Sequence, residues 1–471
     1  MTLDSTLSND SSANPSAGSS ADLRRELSAV AKLAAPVVIT QLGMMLMGTV
    51  DAMMLGRVSE HALAAGALGN VVSFGMMVFA QGMLMALDPL VAQAHGAGDR
   101  QAVARHMQRG MVLAIGLSLP LALIMWDMES ILRALGQDPA IVGDTSAYIR
   151  AMIPGVAAFL LFTVGRQTLQ AMSHVNQALI AIVVANVANV AANYALIFGH
   201  WGFPELGVVG SGWATSICRV LMLVVLAGAG RSILKPLLSE LRLQVLKPST
   251  YGDLIRLGVP IGFQISVEMW LFNAVALMIG SLGARELAAH QIALTLAAMA
   301  FMVPLGVAGA AATRVGNAVG RGDADGARLS AKASLGLGAA VMTLSATAFA
   351  VFPELLARAF TPEEPVIALA ATLLPVAALF QIFDGLQVVG AGVLRGAADT
   401  RVPAMIAVIG YWLLGLPLAW WLGFHSSLGP QGMWWGLTLG LASVAVLFLW
   451  RIRHTLSGSL DRVATRDVTA D

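Results

Sequence analysis

"LGRVSEHALAAGAL" at residues 55–68 and "IGSLGARELAAHQI" at residues 279–292 are two versions of one pattern, 224 residues apart. The same shift brings "LAAP" (33–36) onto "LGVP" (257–260) and "VAQAHGAGD" (91–99) onto "VGNAVGRGD" (315–323). No gap is needed from Pro36 to Asp99. Further on, "LQAMSHVNQALIA" (169–181) answers "LRGAADTRVPAMIA" (394–407), and "LGVVGSGW" (206–213) answers "LGPQGMWW" (428–435). A chain that repeats over half its length is expected to build two like units.

The medium those units sit in follows from composition. Of 471 residues, 57% are hydrophobic and 12% are charged, with mean hydropathy +0.76. A soluble chain carries about 25% charged residues, so this is an all-helical polytopic membrane protein. Apolar segments at 32–56, 66–94, 106–128, 146–168, 175–199, 206–229, 254–280, 290–318, 331–355, 366–394, 402–424 and 430–452 give twelve spans. Arg57, Arg133, Arg150, Arg285 and Arg358 fall in the loops on one side, and Arg219 falls mid-helix. The other Lys and Arg residues lie on the opposite side, which the positive-inside rule makes cytoplasmic, with both termini. The outer loop after the third span is instead acidic, with Asp127, Glu129, Asp138 and Asp144. Each repeat then has six helices and starts on the same side. The expectation is two parallel six-helix lobes around a central cavity.

The expected divisions are a disordered cytoplasmic tail over 1–30, an N-lobe over 31–230 and a linker over 231–253. A C-lobe over 254–452 and a second tail over 453–471 complete the chain. The net charge of +1 gives no case for nucleic acid, and Cys218, the one cysteine, excludes an internal disulfide framework. No cleavable signal peptide is evident. The chain has no phosphate-binding loop and no dinucleotide fingerprint. Its eight histidines are scattered, mostly near loops, without metal spacing. No cofactor, no enzyme and no ATP-driven step are expected within the chain.

A charged group at mid-bilayer costs roughly 2.5–3.5 kcal/mol on insertion scales, so each one asks for a reason. Asp51 lies in the first span, Arg219 in the sixth, Glu268 in the seventh ("QISVEMWLF", 264–272) and Asp384 in the tenth. The repeat places Val275 opposite Asp51, Met44 opposite Glu268 and Phe159 near Asp384. Scaffold residues recur in both halves and these carboxylates do not, which favours function over the alternative of a structural carboxylate bonded to a neighbouring helix. Arg219 is expected to anchor a helix pair or counter a carboxylate. Asp88, before Pro89, is expected to be an interfacial or capping group.

Met44, Met47, Asp51 and Met54 share one helix face. Flexible methionines around a carboxylate suit varied lipophilic cations, though a methionine stripe also serves plain packing. Asn189 and Asn193, one turn apart on the fifth span, are placed to hydrogen-bond Asp51. Gln264 lies one turn before Glu268. Phe380 lies one turn before Asp384, as a cation–π face or as packing. Burial disfavours the charged form of a carboxylate, and a second carboxylate nearby disfavours it further. If Glu268 and Asp384 meet, a proton, Na⁺ or an organic cation relieves them. Competition among those ligands for one charge is the physical basis of antiport.

"AAHQIALTLAAMAFMVPLGVAGAAATRVGNAVGRGD" (288–323) closely resembles the eighth-helix region of the multidrug and toxic compound extrusion (MATE) family. "GTVDAMMLG", "QISVEMWLF" and "FDGLQVVGAGVLRGAADTRVP" look like the corresponding parts of its bacterial NorM branch, and the resemblance runs from about residue 30 to 450. It implies a multi-pass antiporter of the inner membrane that exports cationic and amphipathic drugs in exchange for Na⁺ or H⁺, working as a monomer among lipids. It places the cation-site carboxylates on Glu268 and Asp384, with Na⁺ as the candidate metal. The N-lobe acid falls on Asp51, with Asn189 and Asn193 beside it. "ALDPLVAQAHGAGD" is less typical around Asp88. The alternative, a lipid-linked oligosaccharide flippase of related architecture, calls for a strongly cationic cavity. Three acids and one arginine at membrane depth speak against it.

Overall fold

A computed structural model of the chain describes residues 15–239, 247–458, 460 and 462–463. Among the described residues, twelve helices are long and apolar enough to cross a membrane. In the first half these are α1 (Ser20–Leu55), α2 (Glu60–Gly96), α3 (Arg100–Trp126), α4 (Pro139–Ala171), α5 (Asn176–Phe198) and α6 (Gly207–Ala229). The second half supplies α7 (Gly252–Gly280), α8 (Ala284–Gly320), α9 (Ala324–Val351), α10 (Glu364–Gly396), α11 (Arg401–Phe424) and α12 (Pro430–Ser457). Several start a turn or two before the apolar segments, because hydropathy marks only the stretch at lipid depth. Capping sets the true starts: Ser59 Oγ accepts from the Ala62 N–H at 3.0 Å at the head of α2. Asp99 and Asp323, which correspond in the repeat, accept from Ala102 and Gly326 N–H, each at 2.8 Å, to open α3 and α9.

Two helices depart from regularity, each beside a proline. The helix of α2 is interrupted between Leu84 and Leu87, just ahead of Pro89. In α11 a π-helical turn covers Ile409–Gly415, ahead of Pro417.

The first helix extends back to Pro15, so residues 15–30 are helical rather than part of a disordered tail. Burial explains this: Leu23 and Leu27 pack on the apolar core, and Glu26 is 9% exposed. Residues 1–14 lie outside the described residues. The expected linker likewise holds a short helix, Arg231–Leu238, with Leu234 and Leu237 buried. Past α12, Arg462 donates to Asp99 and the Val463 N–H donates to Gln93 Oε1 at 3.0 Å. Most of the expected C-terminal tail lies outside the described residues.

The buried apolar residues form two clusters, one in each six-helix lobe. Each lobe lends the start of its first helix to the other. Val30 and Leu33 of α1 belong to the core of the second lobe, and Leu254 and Leu257 of α7 to that of the first. The lobes meet where α1 packs on α8 and α2 on α7 and α8. Glycine makes this approach possible. A Cβ on Gly96 would overlap the Asn317 carbonyl, and one on Gly320 would overlap the Gln93 carbonyl. Gln93 donates to the Gly396 carbonyl at 3.0 Å, and Asn317 to the Ala171 carbonyl at 3.2 Å. Those two bonds are counterparts under the repeat. Among the described residues, every cross-lobe hydrogen bond lies in the half of the bundle nearer the chain ends, here called the terminal face.

Candidate functional site

The membrane-depth carboxylates occupy two sites of different character. In the first lobe, α1 carries Asp51, which is 7% exposed. Its Oδ1 accepts from Asn189 Nδ2 at 2.9 Å and Asn193 Nδ2 at 2.5 Å, both on α5. Its Oδ2 accepts from Thr215 Oγ1 of α6 at 3.1 Å. The turn spacing of the two asparagines brings both amides to one oxygen, because residues four apart share a helix face. Arg219, one turn after Thr215, acts electrostatically on Asp51 and on Tyr148 of α4. Its guanidinium lies 5.1 Å from the centre of the Phe159 ring. Arg219 thus lies within electrostatic reach of Asp51 without an ion pair among the described residues, and its Nη1 is buried without a partner. Asp51 is a charge supplied with donors and with a counter-ion in reach.

In the second lobe, Glu268 of α7 and Asp384 of α10 act electrostatically on one another. Gln387, one turn after Asp384, lies beside Glu268. Asp384 is 5% exposed, and its Oδ1 has no partner among the described residues. The same holds for Gln387 Oε1, for both amide atoms of Gln381, and for the Tyr411 hydroxyl. Tyr411 sits in the π-helical turn of α11 and lies within electrostatic reach of both acids. A widened turn shifts the register of the helix by one residue, and such turns recur at functional sites. Among the described residues no basic group acts on the pair. Asp384, buried, and Glu268, half-buried, therefore share a polar chamber without a counter-charge among the described residues. Such a chamber is completed by binding a proton or a cation.

The other predicted residues divide. Met44 and Met54 are half-buried against the first lobe's core, while Met47 is 8% exposed and part of that core. Gln264 is buried beside Ile261 and Val267 on α7. Phe380 is not presented to a cavity. It is 3% exposed, with its ring centre 6.0 Å from that of Phe272 and 5.6 Å from that of Trp434. Its place one turn from Asp384 fixes its helix face, but bulky rings of neighbouring helices fill the space there. Asp88 is corrected too. It is 2% exposed, its helix has no side-chain cap, and its Oδ2 accepts from Arg395 Nη1 at 3.1 Å across the lobe boundary. Thr215, Gln387 and Tyr411 escaped the sequence reading. Gln387 had a signal, its spacing from Asp384, whereas Thr215 and Tyr411 reach their sites from other helices.

Comparison with known proteins places this geometry. The MatE family profile matches residues 36–195 and 260–421, once in each lobe. The probable multidrug resistance protein NorM of Mesorhizobium japonicum is 39% identical over 444 residues, covering 91% of this chain and 94% of that protein. The multidrug resistance protein PmpM of Pseudomonas aeruginosa is 36% identical over 440 residues, covering 92% of each. Among solved structures, the eukaryotic MATE transporter AtDTX14 superposes with a TM-score of 0.84 at 23% identity, over 94% of this chain and 100% of that one. An outward-facing MATE transporter gives 0.82 at 20% identity, over 92% and 96%. A profile that recurs in both halves of a twelve-helix bundle, and relatives matched nearly end to end, leave one conclusion: the chain belongs to the MatE family and is a multidrug efflux transporter of the membrane.

Proposed function

We propose that the protein is a secondary antiporter that exports cationic and amphipathic compounds in exchange for Na⁺ or H⁺. One observation carries this reading. The pair of buried Asp384 and half-buried Glu268 has an unpartnered oxygen and no basic neighbour among the described residues. Such a pair takes up a cation or proton readily, and in giving it up it must receive another positive charge. An inward ion and an outward drug that compete for the pair are coupled without touching each other. The lobes over 31–230 and 254–452 are the halves that rock about this chamber in alternating access. The Lys and Arg distribution puts the terminal face in the bacterial cytoplasm. One chain holds both lobes and both acid sites, so a monomer suffices.

The test uses purified protein in liposomes loaded with a fluorescent cationic dye. Na⁺ and pH gradients are imposed separately on wild type and on Glu268→Gln. One gradient should drive dye movement in the wild type, and the variant should not respond. Equal dye movement in the two proteins would refute the assignment of Glu268.

A further inference from the structure

The terminal face holds a charged cluster outside both acid sites. Asp88 of α2 faces two arginines from different lobes. Arg395, at the end of α10, belongs to the opposite lobe and bonds Asp88 Oδ2 at 3.1 Å. Arg166, on α4, belongs to Asp88's own lobe. It acts electrostatically on Asp88, makes no hydrogen bond among the described residues, and has a buried, unpartnered Nε. The second oxygen of Asp88, Oδ1, is also buried and unpartnered. One carboxylate thus has two guanidiniums in reach, one bonded to it and the other with an unpartnered Nε.

The repeat shows that closure does not require this cluster. The glycine contacts and the Gln93 and Asn317 bonds around it occur twice, once in each direction across the seam. Asp88 and Arg395 correspond instead to Ala312 and to uncharged residues around Ala171, which bridge nothing by charge.

The cost of opening explains an asymmetric pair. A buried carboxylate stripped of its one ion partner is strongly destabilised. With Arg395 alone, parting the lobes would strand Asp88, and the terminal face would stay shut. A second arginine that travels with Asp88 removes that penalty. We propose that Asp88 is a two-position ionic switch. It holds Arg395 while the terminal face is closed and passes to Arg166 as the lobes part, which lets the two states interchange. Arg166 and Arg395 are then positioning residues for the transport cycle with opposite effects. This inference rests on the alternating-access reading.

The experiment measures populations. Cysteines replace the exposed residues Arg100 and Asp325, on the terminal face of the two lobes, and carry spin labels in the full-length reconstituted protein. Cys218 is buried and stays unlabelled. Distance distributions are recorded for wild type, Arg395→Gln, Arg166→Gln and Asp88→Asn. Arg395→Gln should favour the long distance by about tenfold, and Arg166→Gln the short distance by a similar factor. In the Asp88→Asn background both shifts should vanish. If Arg166→Gln does not fold, Arg395→Gln carries the test alone: its shift must appear, and must vanish with Asp88→Asn. Shifts in the same direction, no shift, or shifts that survive Asp88→Asn overturn the switch. A wild type with one distance under every ion and drug condition overturns alternating access, and the switch falls with it. Two wild-type distances with unmoved variants overturn the switch alone.

Discussion

Asp51 and Asp384 are both aspartates deep in the same bundle, and both are almost fully buried. Asp51 accepts three hydrogen bonds and has Arg219 nearby. Asp384 has an unpartnered oxygen and a second acid for company. The repeat sharpens the contrast. Where the second lobe carries Asp384, the first carries a residue near Phe159, and that ring holds a guanidinium. One lobe holds an arginine within electrostatic reach of its acid, and the other has no basic group acting on its pair among the described residues. Depth in a membrane therefore does not define a transport site. What counts is whether the protein itself satisfies the charge.

The largest effect expected from this contrast is on transport. Asp384→Asn and Glu268→Gln should each lower ion-driven dye efflux by about 100-fold while leaving insertion intact. Normal drug resistance in cells carrying both changes would erase the distinction between the lobes. Next comes stability. Asp51→Ala leaves three buried donors unpaired, and should lower unfolding stability in detergent by about 2–4 kcal/mol, read from a thermal melt. The opposite sign is expected for Asp384→Asn, about 1 kcal/mol more stable, since it removes an uncompensated acid. If both aspartates destabilise equally when replaced, the two sites are alike after all. The smallest effect belongs to Thr215→Val. It removes one of three bonds to Asp51 and should cost about 1 kcal/mol in the same melt, with transport largely kept.

The fold was legible from the repeat and from twelve apolar segments, because both signals are linear in the chain. The asparagine pair beside Asp51 was legible for a related reason, as a one-turn spacing declares a shared face. Contacts set by a third helix left no such mark. Thr215 and Tyr411 reach the acid sites from α6 and from the widened turn of α11, and no spacing to Asp51 or Asp384 reveals that. For Phe380 the choice between a cation–π face and packing was not legible, because helical spacing fixes a direction but not what fills it. Asp88 was misread because its partner sits 307 residues away, at the seam between lobes. Glu26 lay in a stretch read as a tail, yet it joins Arg314 and Ser330 across that seam.

The seam also has a history written into it. Gly96 meets the backbone at Asn317, and Gly320 meets it at Gln93. Val30 and Leu33 enter one core as Leu254 and Leu257 enter the other. When i touches j and the copy of j touches the copy of i, the surface is of the kind that joins two identical subunits. The two lobes meet as a homodimer would, with the start of each protomer's opening helix reaching into its partner. The connection between α6 and α7 then has the standing of a fusion joint. A gene cut there should yield two half-proteins that find each other in the membrane and restore a working whole.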